Sequence, residues 1–211
     1  MVRVVKKASE RREEILATAQ LLFLSKGYEQ TTMQDIIEHL QIAKGTIYHY
    51  FKSKEELLEA VIDAIAQAQF GEVETVFQQV KGNSLERFQQ LLLSTSHQKD
   101  HQDVIDLLHR PGNSELHIRL LAKMVTLQTP LYAELIRQGC EEGVFFCSTP
   151  LESAEFIFAA VIFLTDMGIF PWSEEQLQRR ALAVPAFVER TLGASAGSFG
   201  FLLEILPGSN K

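Results

Sequence analysis

Helix-starting chemistry recurs along this chain at intervals that leave no room for a sheet. Thr32 with Asp35, Ser53 with Glu56, Thr149-Pro150 with Glu152, and Ser173 with Gln176 each set a hydroxyl side chain three residues before an acid or amide. That spacing lets side chains satisfy the orphan N–H groups of a helix N-terminus. Apolar residues follow these starts with helical periodicity, and no stretch alternates with a period of two between hairpin turns. The chain therefore reads as all-α.

The pattern predicts a first helix capped by Ser9, with Ile15, Leu16, Ala19, Leu22 and Phe23 on one face, ending at Gly27. A second short helix opens at Thr32 and turns Met33, Ile36, Ile37 and Leu40 inward; Gln41-Ile42 is the turn, and a third helix runs about Lys44 to Tyr50. Ser53 starts a long fourth helix reaching about Val80. Beyond it, one helix begins at Asn83 or Ser84, and a short one over about 103–109 ends at Pro111-Gly112. A long one follows from about Ser114 to Glu142, which Pro130 must kink or divide. Thr149 should cap an apolar helix to about Met167, and Ser173 a last one to about Leu192 with a kink at Pro185. The tail from 193 to 211 is small and polar apart from Phe199 to Leu206.

The 211 residues are 46% hydrophobic and 22% charged, a composition that folds and that excludes a disordered or fibrous chain. Two cysteines, Cys140 and Cys147, are too few for a disulfide scaffold and lack zinc-like spacing, so inert thiols in a reducing, cytoplasmic setting are expected. Met1 to Arg12 is basic with no apolar run behind it, which argues against a secretory signal. The apolar run Phe156 to Leu164 is well short of the roughly 20 residues of a bilayer span, so no membrane partner is expected. Charge divides unevenly. Residues 1–54 carry 9 Lys and Arg against 6 Asp and Glu, net +3, while the remainder carries 11 against 21, net −10. A polyanion attracts lysine and arginine locally, so an acidic total leaves a DNA partner open to the first part.

Within that basic part, two short helices joined by a tight turn and flanked by packing helices form a helix-turn-helix pattern. In the second of the pair, Ile47 and Phe51 are four apart and face inward, which leaves Lys44, Gly45, Thr46, Tyr48 and His49 outside. Lys44 can reach a guanine edge or a phosphate, and Gly45 lets backbone approach closely. Thr46 can hydrogen-bond or touch a thymine methyl, and the tyrosine hydroxyls can donate to phosphates. Thr32 and Lys54 stand at helix N-termini, where amides and dipoles support phosphate binding.

The run Thr31-Thr32-Met33 to Asp35-Ile36, followed by Lys44-Gly45-Thr46-Ile47-Tyr48-His49-Tyr50-Phe51-Lys52-Ser53-Lys54-Glu55, resembles the DNA-binding domain of the TetR family of bacterial transcriptional regulators over about residues 9–58. The resemblance implies base-region contacts from Lys44, Gly45, Thr46 and Tyr48, and backbone contacts from Thr32, His49, Tyr50 and Lys54. It divides the chain into a DNA-binding domain, 1–54, and a helical ligand-binding and dimerisation domain, 55–211. It also implies a homodimer on a palindromic double-stranded operator, with the two closing helices, about 151–168 and 174–192, pairing across the dimer, and a repressor released by a small-molecule effector. Three positions depart from the family pattern. Gln41 stands where glycine is usual, at a cost of about 1 kcal/mol if its φ is positive; Leu40 replaces a small residue; Ala43 replaces a capping serine.

Met124, Leu127, Phe156, Phe158, Phe163, Met167 and Phe170 either line a cavity or fill a core, since helical spacing serves both. Leu107, Leu108, Met124, Leu127, Phe163 and Met167 are the expected pocket. His97, His101, His109 and His117, with Asp100, Asp103 and Asp106, offer a rival: a helical metal-dependent hydrolase with residues 1–54 merely appended. No H-E-x-x-H or cysteine partner accompanies them, so no metal, cofactor or catalytic residue is expected. A second rival keeps the DNA-binding dimer as an architectural or partner-recruiting protein with no effector.

Overall fold

The computed structural model of the chain describes residues 7–96 and 105–208, and among the described residues every regular element is helical. The helices are α1 (Ala8–Lys26), α2 (Met33–Leu40), α3 (Lys44–Tyr50), α4 (Lys54–Gln79), α5 (Ser84–Ser96), α6 (Ser114–Glu141), α7 (Pro150–Leu164) and α8 (Glu174–Leu192). A helical turn over 105–108 precedes α6, and a 3-10 helix over Gly200–Glu204 follows α8.

Capping decides most of the boundaries. Thr32 with Asp35, Ser53 with Glu56 and Ser173 with Gln176 make the expected bonds. Asn83 is the start of α5, because Asn83 N–H donates to Glu86 and Glu86 N–H donates back to Asn83 Oδ1, each at 2.9 Å. Two starts differ from expectation. Lys7 stands at the cap of α1 and Ser9 inside its first turn: the Glu10 carboxylate accepts Lys7 N–H at 3.3 Å, and Lys7 makes no side-chain cap bond. Thr149 makes no side-chain cap bond to α7, whose entry is set by Pro150 with its fixed φ.

Neither internal proline divides its helix. Pro130 is on the solvent side of α6, where water can take the carbonyl bond that the proline forgoes. Pro185 is buried within a continuous α8. The tail beyond α8 is also more ordered than its composition implied. Phe199, Phe201, Leu202 and Leu206 are buried, and the buried Glu189 of α8 accepts Phe199 N–H at 3.0 Å.

The described residues fall into two compact units, one within Met1–Ile65 and Gln102–Leu120, the other within Ala66–His101 and Leu121–Lys211. The first is built on Ile15, Ala19, Phe23, Ile36, Ile47, Phe51, Leu57, Leu58 and Val61, each at most 1% exposed. The second is built on an aromatic cluster, with Phe145 and Phe199 stacked at 5.8 Å and Phe88 edge-on to both. Gly139 makes room for it, since a Cβ there would meet the Phe145 ring at 2.1 Å. Among the described residues no helix is long and apolar enough to cross a membrane.

Candidate nucleic-acid interface

The geometry of the α2–α3 pair starts from a cap. Thr32 Oγ1 accepts Asp35 N–H at 3.1 Å, Thr32 N–H and hydroxyl both donate to Asp35 Oδ2, and Lys26 pairs with the same oxygen at 2.8 Å. The Lys26 ammonium, followed by the backbone and hydroxyl of Thr32, holds the Asp35 carboxyl down to about 2. Thr32 is exposed and fixed in place from two sides.

The turn between the helices closes by a left-handed residue. Gln41 has φ 51° and ψ 43°, and its N–H donates to Glu38 while Ile42 N–H donates to Ile37, each at 3.2 Å. This is the Schellman closure usually given to glycine, made here by glutamine. Ala43 then starts α3 with no side-chain cap; Thr46 N–H donates to its carbonyl at 2.8 Å. No side chain caps the first amides of α3, and Lys44 and Gly45 at its start are exposed.

Ile47 and Phe51 are buried, which fixes the rotation of α3 and leaves Lys44, Gly45 and His49 exposed and Thr46, Tyr48 and Tyr50 half-buried. A Cβ at Gly45 would meet nothing within 4 Å, so the glycine presents bare backbone to open space. Lys44 Nζ lies 5.8 Å from the Tyr48 ring centre and Lys52 Nζ donates to Tyr48 carbonyl at 3.3 Å, so two ammonium groups flank that tyrosine. Between Glu38 and Glu55 the sequence has three lysines and no acid. Lys54 is anchored to the protein: Nζ donates to Glu29 carbonyl at 3.2 Å and lies 4.1 Å from the Tyr28 ring centre, and burial pushes its pKa down.

Residues remote in sequence support this surface within the same unit. Asn113, fully buried, accepts Tyr28 N–H at 2.8 Å and donates to Leu107 carbonyl at 2.9 Å, while Gly112 carbonyl accepts Glu29 N–H at 3.0 Å. Arg119 on α6 pairs with Glu55 and Glu59 on α4 and with Glu115. Turn punctuation at 110–113 marks where the chain bends, but nothing local says that the bend fastens the loop after α1.

Residues 15–61 match the family described as "Bacterial regulatory proteins, tetR family", and residues 94–189 match "Tetracyclin repressor-like, C-terminal domain". The chain belongs to the TetR family. It is a DNA-binding transcriptional regulator. It is 26% identical to the HTH-type transcriptional repressor KstR2 of Mycobacterium tuberculosis over 149 residues, 69% of this chain and 74% of that protein. A putative TetR-family regulator from Mesorhizobium loti shares its fold with a TM-score of 0.61 at 21% identity, covering 90% of this chain and 98% of that one. The SmeT–triclosan complex does so with a TM-score of 0.58 at 18% identity, over 90% and 94%.

In this TetR-family chain the residues expected to form a pocket are dispersed. Leu107 and Leu108 are in the first unit, half-buried and buried. In the second, Met124 and Leu127 are half-buried on α6, while Phe163 and Met167 are 36% and 51% exposed. None of the six lines the cavity of about 190 Å³ that the second unit contains. Its lining instead joins α5 to α8 with the 3-10 segment, through Phe88, Tyr132, Phe158 and Phe199 among others. Of the histidines, His97 and His101 lie outside the described residues, as do Asp100 and Asp103; His109 and His117 have ring centres 5.0 Å apart. Cys140 and Cys147 are free and half-buried, with Cys147 Sγ 3.1 Å from Ser153 Oγ.

Proposed function

We propose that the chain is a cytoplasmic, non-enzymatic homodimeric repressor that holds a palindromic operator through α3 of each copy and leaves it when a small molecule binds. The observation that carries the DNA part is the outer face of α3, where Lys44, bare Gly45, Thr46 and Tyr48 follow a helix start without a side-chain cap, in a stretch of sequence that holds no acid between Glu38 and Glu55. In this reading those four meet base edges and Thr32, His49 and Tyr50 meet the backbone. Lys54 retains two further N–H donors for a phosphate beyond its bond to Glu29. Residues 1–54 serve as the DNA-contacting part and 55–211 as the regulatory part. The repressor sense draws on the name of the KstR2 relative.

Dimerisation is supported by an apolar face that no other described residue covers. On α7 and α8, Phe156 is 78% exposed and Phe187 62%, and they border a groove of about 510 Å³ shared by the two helices. Pairing this face with its copy buries the groove and sets the separation of the two α3 helices, which must be about 34–36 Å for successive major grooves. A ligand that favours another separation releases the DNA, and a differential affinity of about 1–3 kcal/mol suffices.

Selection of purified protein on random duplexes, followed by sequencing and a salt titration, tests this. A palindromic site bound with a steep salt slope is expected. No enrichment over non-specific DNA refutes it.

A further inference from the structure

We propose that the cavity of the second unit binds one small, uncharged, largely hydrocarbon molecule, the size of a benzene ring with one or two substituents, against a wall it shares with the α7–α8 face. This rests on the effector-responsive reading above and names the class of molecule that answers it. Size comes from the volume: an apolar cavity of about 150 Å³ accommodates benzene, and this one is about 190 Å³. Class comes from the lining, where every side chain is hydrocarbon except Tyr132. An ion entering it loses hydration with no opposite charge to replace it, and a water molecule lacks the two to four polar partners that it needs.

The lining also favours a ring. Phe88 and Tyr132 stack at 6.1 Å, Phe158 is 5.4 Å from Tyr132, and Phe199 is edge-on to Phe88 at 5.7 Å. These offer faces and edges to an aromatic guest. Burial raises the Tyr132 pKa, so its phenol stays protonated and adds no charge to the lining.

Two walls give the site its regulation. Phe199, Leu202, Ile205 and Leu206 close one side, and the Glu189–Phe199 bond anchors that segment. On the other side Ile157, Val161, Val184 and Val188 line both this cavity and the outer groove. A guest is therefore one layer of side chains from the surface proposed to dimerise. Close-packed side chains pass displacement on instead of absorbing it, so occupancy alters the dimer as well as the cavity.

Calorimetric titration of the full chain with p-cresol, toluene and 4-methylbenzoate tests the assignment. One p-cresol per chain is expected, bound at least about tenfold more tightly than 4-methylbenzoate, with a shift in the dimer dissociation constant. Ala154→Leu, which fills the cavity, should weaken p-cresol about tenfold or more with the melting temperature retained. Should that variant not fold, Ile205→Ala enlarges the 3-10 wall and should favour 4-propylphenol over p-cresol relative to the parent chain. Equal binding of the carboxylate, no binding of either neutral probe, or affinities unmoved by both substitutions overturns the assignment. Operator affinity separates it from the reading beneath it. If p-cresol binds but the operator is held as before, the cavity stands and the effector role falls; if release persists in Ala154→Leu, the cavity falls.

Discussion

Between Thr32 and Lys54 the residues that serve the first unit are polar, close in sequence and turned outward. Those that serve the second are apolar, buried and drawn from positions as distant as Phe88 and Leu206. The first kind of site is built from helix caps and one rotation angle, so its chemistry is local. The second exists only where several helices fail to fill the space between them. Changes in the two should therefore behave differently: second-unit substitutions should cost stability first, and α3 substitutions should cost DNA affinity with little loss of stability.

The largest effect is expected at Phe145, 2% exposed, with Gly139 beneath it and Phe88 and Phe199 around it. Phe145→Ala should destabilise the chain by about 3–5 kcal/mol in denaturant unfolding. A loss under about 1 kcal/mol would mean that the cluster is loosely packed and erase the contrast. Asn113→Ala comes next, at about 1–3 kcal/mol, because it leaves the buried Tyr28 N–H without its acceptor. It lies in the same compact unit as α3 yet should act like a core change, lowering melting temperature in parallel with operator affinity. Lys44→Ala marks the other side of the contrast: operator binding weaker by about tenfold, a shallower salt slope, and an unchanged melting temperature. A drop in melting temperature there would show that α3 is held by its outer face as well as by Ile47.

These differences follow what could be read from residues alone. Thr32, Asp35, Ser53 and the Ile47–Phe51 pair act within one turn of themselves, so spacing revealed both the helices and the face that α3 exposes. The positive φ at Gln41 was raised only as a condition, on the resemblance to a family that usually has glycine there, and the structure meets it. Asn113 was not, since its partner Tyr28 stands 85 positions away and an asparagine after Pro111-Gly112 looks like any turn residue. Periodicity marks which residues turn inward but not whether they meet atoms or empty space. Phe158 was read as a candidate for cavity or core alike, and Phe199 to Leu206 as the apolar part of a tail. Ser9 misled because α1 already starts at Ala8, and Thr149 because Pro150 sets the entry of α7 without a hydroxyl bond.

Gln41 supplies a smaller test. Glycine adopts φ 51° without the clash that glutamine bears, and its gain is offset by the extra freedom of the unfolded chain. Gln41→Gly should raise stability by up to about 1 kcal/mol, with operator affinity unchanged. A loss of affinity would show that the Gln41 side chain contacts DNA, adding the turn to the reading surface.

The smallest effect is one of pH, and it isolates the cap of α2. The folded Asp35 carboxyl titrates at about 2, below its ordinary value of 3.8, because Lys26 and Thr32 stabilise the carboxylate. Between those values the unfolded chain binds a proton that the folded chain refuses, so acid favours unfolding. The contribution is fully present above the unfolded value and disappears as pH falls through the folded one. In Asp35→Asn this titration is absent, so the difference in stability between parent and variant should shrink as pH falls from about 5 to about 2. Thermal unfolding at several pH values measures it. Because Asp35 is at the surface, salt should reduce the difference too. A gap that keeps its size through this range would mean that Thr32 is held by its hydroxyl and backbone without help from the carboxylate charge, and that Lys26 remains free to meet a phosphate.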